Sequence, residues 1–356
     1  MRAYLDHAAT TPMTPRARDA FINALSEFGN PSGVHTEARQ ARQALEESRD
    51  RVAACLGVHA REVVFTSGGT EALNLALHRR DPARGAISAI EHDAVRNAAF
   101  GARAIPVNDR GLVLVESVPA DAEWVAVMAA NNETGVVQPL ADVRAAAPDA
   151  ALIVDAVCAV PWIDVALLPF DLLAVSAHKF GGPQGVGALV VREGHLVEPI
   201  LVGGGQERER RSGTQNVAGT VAMAVALEDS LGARSSQIHE IAAMRDRLGD
   251  GLLRAVEGAT ETGDRATKTP GNVHLCIDGI ESESLLFLLD RGAVAASAGS
   301  ACASGALHAS HVLLAMGIPK ERALGSLRLT LGRTTTDEEI DHALAVIPEC
   351  VARLRS

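Results

Sequence analysis

Short apolar runs alternate with helix-like stretches through the first half of the chain. The runs that predict buried strands cover residues 62–67, 86–90, 124–129, 152–156, 172–176 and 187–191. Short apolar strands separated by helices are typical of an α/β domain with a mainly parallel sheet. Such sheets bind ligands at the carboxyl ends of their strands, so polar residues at those ends become the candidates for chemistry.

Two longer stretches have helical periodicity. From Arg16 to Gly57, apolar residues such as Ala41, Leu45 and Val52 recur at helical spacing among charged residues. After about Ser230 the pattern changes to an amphipathic helix over roughly 236–256, followed by a strand-like run over 271–277. This change predicts a boundary between a large α/β domain and a smaller C-terminal α+β domain.

Composition and charge exclude several classes of function. The net charge is −11 and there is no basic run, which argues against direct binding of nucleic acid or of an anionic membrane. The start of the chain lacks a signal pattern and no apolar run is long enough to span a bilayer, so a cytoplasmic enzyme is predicted. The five cysteines are scattered and have no zinc-ligand or CxxC spacing, so neither a metal site nor a disulfide framework is expected.

Two polar motifs close predicted strands and admit two interpretations each. The run from Thr66 to Glu71 contains Gly68 and Gly69 and opens a helix, so its free N–H groups suit either a phosphate or an ordinary helix cap. Asp155 ends the run 152–156, where it could pair with a protonated ring nitrogen of a pyridine cofactor or cap the next helix.

Further motifs supply a candidate amine and candidate phosphate contacts. Lys179 follows a strand in the run from Ser176 to Pro183, where a lysine removed from water is a usable amine nucleophile; a surface lysine in a turn is the alternative. Ser176 and His178 could hold a phosphate. The polar segment 203–214 offers Thr214 as a second anion contact, although its charged part, 207–211, could simply be solvated.

The last two candidates lie towards the end of the chain. Cys302 stands in the small-residue run 297–305, which makes an accessible loop of the kind that a reactive thiol needs. Arg328 lies within an apolar strand-like run, so a substrate carboxylate or an internal Asp or Glu must face its guanidinium.

Taken together, the motifs follow one another in a specific order: YLDHAATTP, GNPSGVH, TSGGTE, EH, NNETG, VDA, SAHK, RSGT and GSACAS. In this order they resemble the cysteine desulfurases, in the fold-type I, class V aminotransferase group of pyridoxal-phosphate enzymes. The resemblance runs from Tyr4 to about Ile340 and implies an α/β fold with a mainly parallel seven-stranded sheet. It also implies a large cofactor-binding domain over 12–234 and a small domain formed by 1–11 and 235–356, which carries the Cys302 loop.

The resemblance assigns roles to individual residues. Lys179 would bind pyridoxal 5′-phosphate covalently. The phosphate of the cofactor would be held by Gly69, Thr70, Ser176, His178 and, from the other subunit of a homodimer, Thr214. His92 would stack on the pyridine ring and move protons, while Asp155 would pair with the ring nitrogen. Asn132 would lie near the cofactor's phenolic oxygen and the substrate carboxylate. Arg328, with Asn30, would bind that carboxylate.

The implied reaction converts L-cysteine into L-alanine and transfers the sulfur as a persulfide on Cys302 to an acceptor protein. The alternative within the same fold is a C–S lyase, of the cysteine or selenocysteine type, which releases sulfur by elimination and does not need a thiol acceptor. A non-catalytic protein that kept the fold is a third hypothesis, opposed by the intact Lys179, His92 and Asp155. The sequence departs from the family at Cys158, where a glutamine usually donates to the cofactor's phenolic oxygen.

Overall fold

The chain is described by a computed structural model over residues 1–26, 28–299 and 309–356. The strands in these parts of the chain are β1 Ala3–Tyr4, β2 Val63–Thr66, β3 Gly85–Ser88, β4 Arg103–Ile105, β5 Trp124–Ala126, β6 Ala151–Asp155, β7 Leu172–Ser176, β8 Gly187–Val191, β9 Ala259–Glu261, β10 Asn272–Ile277, β11 Val294–Ala295 and β12 Ser326–Thr330.

The helices connect these strands and cover them. They are α1 Pro15–Ala24, α2 Thr36–Leu56, α3 Gly69–Leu77, α4 Asp93–Ala98, α5 Leu140–Ala146, α6 Val217–Ala255, α7 Ser282–Arg291, α8 His311–Ala315, α9 Lys320–Ala323 and α10 Asp337–Arg355. In the described parts of the chain, none of them is both long and apolar enough to cross a membrane.

Seven strands form the central sheet, in the order β2-β8-β7-β6-β5-β3-β4. β8 runs antiparallel to both of its neighbours, and every other neighbouring pair is parallel. The predicted α/β fold with a mainly parallel seven-stranded sheet is confirmed, and all six strands predicted from apolar runs are present. The seventh, β4, was not predicted because it is a three-residue edge strand with an exposed Ala104 and a half-buried Arg103.

Successive side chains along each strand point to opposite faces of this sheet, which produces two apolar layers, one on each face. In β2, for example, Val63 and Phe65 join one buried cluster, whereas Val64 between them joins the other. Burial on both faces explains why these strands read as continuous apolar runs. Their polar residues are therefore confined to the strand ends, where the candidate site lies.

A second apolar core lies outside the central sheet. It is built on the antiparallel sheet β12-β10-β9, on the parallel pair β1-β11, and on α7 and α10. Ala3 and Leu5 are fully buried in it, so the start of the chain packs with its C-terminal third. Asp6 continues this pairing through a bridge to Thr330.

The helix α6 belongs to both cores, and it corrects one expectation. The predicted helix over 236–256 starts at Val217 and runs unbroken for 39 residues. Its first part, around Met223 to Leu227, is buried against the central sheet, whereas Ile241 to Leu252 face the second core. The pattern change near Ser230 is therefore the place where one helix passes between two cores, and the predicted boundary at 234 falls inside that helix.

The helical pattern over 16–57 is also not one helix. α1 ends at Ala24 and α2 begins at Thr36, where the His35 ring accepts the Ala38 N–H. α2 ends at Leu56, and Gly57 after it adopts the left-handed conformation that stops a helix (φ 66°). The Asn30 motif lies in the turn between the two helices.

The alternative that Glu207 is solvated is wrong, because the residue is buried. Its carboxylate accepts two hydrogen bonds from Arg49, at 2.7 and 2.8 Å, and one from the Phe65 N–H at 2.9 Å. A buried guanidinium and carboxylate satisfy one another in this geometry. These bonds tie the segment that leads to Thr214 to the first strand of the central sheet.

Candidate active site

The candidate site lies where β6 and β7 end side by side. These strands are parallel neighbours in which Asp155 is paired with Ala174, and a 3₁₀ turn over Ala177–Lys179 follows β7 directly. The carboxyl ends of parallel neighbours meet at one edge of a sheet. The fold therefore brings Asp155, Ser176 and Lys179 to the same edge, as the motifs predicted.

Asp155 is a buried carboxylate without a cationic partner of its own. One of its oxygens accepts the Val157 N–H at 2.9 Å, and no Lys, Arg or His nitrogen in the described parts of the chain lies within 4.0 Å of it. Burial raises the pKa of Asp155, and the nearby His92 and Lys179 counteract that rise. A buried acceptor of this kind suits a protonated ring nitrogen, so its chemistry fits a pyridine cofactor.

The start of α3 forms a cradle for an anion beside Ser176. Gly68 precedes the helix with no side-chain cap (φ 151°, ψ −173°), and a Cβ placed there would come 3.5 Å from the Ser176 hydroxyl. A Cβ on Gly69 would lie only 2.6 Å from the Val157 side chain. A side chain at Gly69 would thus fill the space between the start of α3 and Val157, and the exposed Thr70 stands next to it. The start of a helix presents unpaired N–H groups that suit an anion.

His178 is a neutral hydrogen-bonding group at this edge. Burial and the adjacent Lys179 lower the pKa of His178 to about 4. Its Nδ1 lies 3.2 Å from the Thr10 hydroxyl. At neutral pH the ring can therefore donate one hydrogen bond to an anion without contributing a charge.

Lys179 reaches towards the N-terminal segment and into a cleft. Its ammonium donates to the carbonyl oxygens of Ala8 and, at 3.0 Å, of Ala9. The cleft is lined by Lys179, Asn132 and Cys158 among others, and Asp155, Ser176 and His178 are not among its lining residues. Two backbone acceptors hold the amine in place at the wall of this cleft.

Cys158 shares the same wall and stands where the family usually has glutamine. Burial raises the pKa of its thiol, and the positive charges of Lys179 and Arg328 act in the opposite direction. A protonated thiol is a weak hydrogen-bond donor, so this position provides a weaker contact than an amide does.

His92 is exposed at the start of α4, near Asp155. Its Nδ1 accepts the Ala94 N–H at 3.1 Å and caps the helix. This bond assigns the proton of the neutral ring to Nε2. The backbone thus holds the ring through Nδ1, and Nε2 can exchange a proton.

Arg328 is buried and has an internal acidic partner. Its guanidinium donates to Asp6 at 2.7 Å and to the Asn132 carbonyl at 2.8 Å, while its Nε has no hydrogen-bond partner in the described structure. The sequence allowed either a substrate carboxylate or an internal acid as the partner of Arg328, and the structure contains the internal acid, Asp6. Asp6 was not predicted as a site residue, although it stands in the first motif of the chain.

Two further buried carboxyl groups were missed, each next to a predicted residue. Glu91 precedes His92; burial and the nearby Asp155 raise the pKa of Glu91 well above its usual range. One of its oxygens accepts the Met128 N–H at 2.8 Å. Glu133 follows Asn132, and burial raises its pKa to about 7. The EH and NNETG motifs contained both residues, but their burial was not evident from the sequence.

The remaining predicted residues are not brought to this edge by the described chain. Asn30 and Thr214 are exposed, and the hydrogen bonds of Asn30 lie within its own turn. Cys302 lies outside the described residues. In the parts of the chain that are described, no cluster of three or more His, Cys, Asp or Glu side chains is arranged to hold a metal ion.

Comparison with known proteins agrees with this geometry. The sequence model of the family Aminotransferase class-V matches residues 3–343. An IscS-like cysteine desulfurase from Mycobacterium tuberculosis is 40% identical over 381 aligned residues, covering 99% of this chain and 97% of that protein. Cysteine desulfurase IscS from Methanosarcina thermophila is 38% identical, with 99% and 93% covered.

Solved structures resemble the whole fold. A NifS-like protein superimposes with a TM-score of 0.90 at 33% identity, covering 99% of this chain and 100% of that one. DndA from Streptomyces lividans superimposes with a TM-score of 0.75 at 32% identity, covering 92% of this chain and 99% of that one.

Proposed function

Because the chain belongs to the cysteine desulfurases of the class V aminotransferase family, we propose that it converts L-cysteine into L-alanine and receives the sulfur on Cys302. This membership confirms the predicted family, the fold-type I architecture, the enzyme class and the dependence on pyridoxal phosphate. The roles of individual residues are our proposal and are argued below from the contacts at the site.

The observation that carries the proposal is that Lys179 follows β7 at the same sheet edge where Asp155 ends the neighbouring β6. The chain contains three lysines, and of these only Lys179 lines the cleft. Lys268 is buried 3.2 Å from Glu261, and Lys320 is exposed on α9. Lys179 is thus the amine to which the cofactor would be bound.

The other cofactor contacts follow from the same edge of the sheet. Asp155 would accept from the protonated ring nitrogen, and His92 would lie against the ring. The phosphate would be held by the group already described as a cradle: Gly69, Thr70, Ser176 and His178. Asn132 and Cys158 would face the phenolic oxygen from the cleft wall. When bound there, pyridoxal phosphate supplies an electron sink that allows the substrate Cα proton to leave.

Arg328 is suited to the substrate carboxylate. Asp6 and the Asn132 carbonyl fix its guanidinium in one orientation, and the Nε donor without a partner leaves capacity for a further acceptor. Asn30 remains an expectation from the resemblance, because it is exposed and the described chain does not bring it to this edge. A guanidinium fixed in advance binds a carboxylate without loss of side-chain freedom.

Sulfur transfer needs a thiol acceptor and a proton donor. The Cys302 thiolate attacks the sulfur of cysteine, so that a new S–S bond forms as the C–S bond of the substrate breaks. The Cβ of the product then receives a proton and the Cα regains the proton that it lost, and L-alanine leaves while Cys302 retains the persulfide. His92, whose Nε2 side exchanges protons, is the group that we assign to proton transfer. An acceptor protein would then remove the sulfur.

A homodimer would complete the site. Leu196, Ile200, Leu201 and Val202 are exposed apolar residues on the segment that leads to Thr214. Burial against a second copy would cover them and would carry Thr214 to the phosphate of the other subunit. Cys55, Cys158, Cys276 and Cys350 are free thiols, which suits a reducing compartment, and we therefore place the enzyme in the cytoplasm.

The test of the proposed function is the organic product. Holoenzyme is incubated with L-cysteine and a reductant, and alanine, pyruvate and ammonia are quantified for the wild type and Cys302→Ser. We expect alanine in a one-to-one ratio with sulfide from the wild type and a loss of at least about a hundredfold in Cys302→Ser. Cys350→Ser, which changes a half-buried thiol on α10, is the matched control and should retain wild-type activity.

Two outcomes would contradict the proposal. Pyruvate and ammonia as the main products would identify a C–S lyase. Sulfur delivery that is unchanged in Cys302→Ser would remove Cys302 from the reaction, whatever the product.

A further inference from the structure

One face of the antiparallel sheet β12-β10-β9 is polar although it is buried. Alternate residues of β10 and β12 point into the second apolar core. The residues between them point to the opposite face and form three directly opposed pairs: Asn272 with Thr330, His274 with Arg328, and Cys276 with Ser326. All six are buried, and Cys276 packs with the core of the central sheet. A buried polar layer therefore lies between this sheet and the large core.

His274 is the residue of this layer with the fewest degrees of freedom. Its side chain is fully buried, and its Nδ1 lies 2.8 Å from the Thr262 hydroxyl. The Thr262 N–H also donates to the His274 carbonyl at 2.9 Å, so backbone and side chain of the two residues are joined. The ring cannot turn without breaking the bond to Thr262. The other ring nitrogen, Nε2, forms no hydrogen bond within the described residues.

The strand register places this ring beside Arg328. Directly opposed residues of an antiparallel pair have their Cβ atoms about 5 Å apart on the same face of the sheet. The end of the Arg328 side chain is bound by Asp6 and by the Asn132 carbonyl, at 2.7 and 2.8 Å. These two acceptors come from other parts of the chain. His274 is the side chain that β10 provides next to the guanidinium.

The imidazole adds no charge at this place. Burial and the positive charges of Lys268 and Arg328 lower the pKa of His274 to about 3, so the ring is neutral at physiological pH. In the described parts of the chain, the carboxylate that forms an ion pair with Arg328 is that of Asp6. An acidic residue at position 274 would add a second counter-charge. A neutral ring there leaves the guanidinium free to attract a further anion.

We propose that His274 is a positioning residue for Arg328: its ring, fixed by Thr262, supports the guanidinium from the neighbouring strand and keeps it oriented towards the substrate carboxylate. The proposal rests on the proposed binding of that carboxylate by Arg328. It adds a residue that acts through Arg328, because a side chain with no exposed surface does not itself meet the substrate. An arginine held in advance binds a carboxylate with less loss of side-chain freedom.

The experiment compares KM and kcat for L-cysteine in the holoenzyme. His274→Leu fills much of the same space without a polar ring, and it should raise KM by about tenfold with kcat within about twofold of the wild type. His274→Asn, whose amide can keep the bond to Thr262, should restore KM to within about threefold. Because His274 acts through Arg328, His274→Leu combined with Arg328→Ala should have the same KM as Arg328→Ala alone.

A substrate analogue without a carboxylate separates positioning from a general defect of the fold. L-cysteinamide replaces the carboxylate by an uncharged amide, so it does not use the charge of Arg328. Its inhibition constant against L-cysteine should stay within about twofold of the wild type in His274→Leu. A variant with a damaged fold or a poorly held cofactor would bind L-cysteine and L-cysteinamide equally badly, and that result would overturn the proposal.

Three further variants bracket the effect. His274→Glu places a carboxylate beside Arg328 and should raise the KM for L-cysteine about as much as Arg328→Ala does. Thr262→Val removes the hydroxyl that fixes the ring and should raise KM by about threefold. Cys276→Ala changes a buried residue on the same face, opposite Ser326, and is the matched control that should keep the wild-type KM.

The outcomes separate this inference from the proposed function. If Arg328→Ala raises KM but His274→Leu and Thr262→Val do not, the positioning role is wrong and the function stands. If Arg328→Ala leaves KM unchanged, the inference and the role of Arg328 both fail, whereas alanine as the product would still support the proposed reaction. If His274→Leu does not fold, Thr262→Val decides: a rise in KM for L-cysteine with unchanged inhibition by L-cysteinamide supports the inference, and an unchanged KM overturns it.

Discussion

The two halves of the active site are built in different ways. On the cofactor side, Asp155 is the last residue of β6 and Lys179 lies in the turn that follows β7, and all five residues of each strand are buried. On the substrate side, Arg328 meets Asp6 across 322 positions of sequence, and Glu133 meets Ser310 across 177. The first half depends mainly on the packing of the central sheet, although the Lys179 amine also bonds the carbonyls of Ala8 and Ala9 near the start of the chain. The second half depends on contacts that join the start, middle and end of the chain.

This difference determines how easily a single substitution can displace the groups of each half. Groups at the ends of buried strands are placed by the core and are hard to move without unfolding the sheet. Groups held by single long-range bonds can be displaced by changing one partner. Loss of the strand-end groups of the cofactor half should therefore remove chemistry outright, whereas variants of the substrate half should weaken binding and alignment by graded amounts.

The largest effect is expected for Lys179→Ala. Loss of the amine should abolish covalent cofactor attachment and lower turnover by at least about a thousandfold, as removal of a catalytic nucleophile does. Borohydride reduction followed by peptide mapping detects the attachment, and visible absorbance reports the bound cofactor. Lys320→Ala, at an exposed lysine on α9, is the control. A modified peptide containing Lys268 or Lys320 in place of Lys179 would contradict the assignment.

The cofactor half was also the half that the sequence predicted best. Asp155, Ser176 and Lys179 each close an apolar run, and strand burial makes such runs recognisable without knowledge of the fold. The short edge strand β4 was not predicted because an edge position does not require apolar side chains on both faces. The length of α6 was underestimated because its buried face changes from one core to another along the helix.

The substrate half could not be predicted in the same way. A buried Arg328 implied an anion, but only the pairing of β1 and β12 with their neighbours shows that Asp6 provides it. Likewise, Glu91 and Glu133 look like ordinary surface acids in the sequence. Their burial depends on contacts with Met128 and Ser310, which are distant along the chain.

A graded effect is expected where Arg328 meets Asp6. Arg328→Ala should raise the KM for cysteine by about a hundredfold, the equivalent of about 3 kcal/mol for a charge-assisted contact. Arg328→Lys should recover little of this, because one ammonium cannot bind Asp6, the Asn132 carbonyl and a substrate together. Steady-state kinetics with cysteine provide the measurement.

Asp6→Asn tests whether Arg328 is oriented by its partner. The amide keeps the shape of the contact but removes its charge, so we expect an increase in KM of about tenfold with little change in kcat. Unchanged KM values in both Arg328→Ala and Asp6→Asn would mean that this pair only stabilises the fold and that the substrate carboxylate binds elsewhere.

The smallest effect is expected for Cys158→Gln, which restores the amide that the family usually has at this position. Cys158 lies in the cofactor half, next to Lys179 at the cleft wall, where the buried thiol with its raised pKa is a weak donor. Replacing it with an amide should shift the absorbance of the bound cofactor and change kcat by about threefold or less, because the lysine and Asp155 stay in place. Absorbance titration and steady-state kinetics detect both changes, with Cys158→Ser as the control for loss of the thiol. A large loss of activity in both variants would show that the thiol itself takes part in sulfur transfer. Cys158 would then belong with Lys179 and Asp155 among the groups whose loss removes the chemistry.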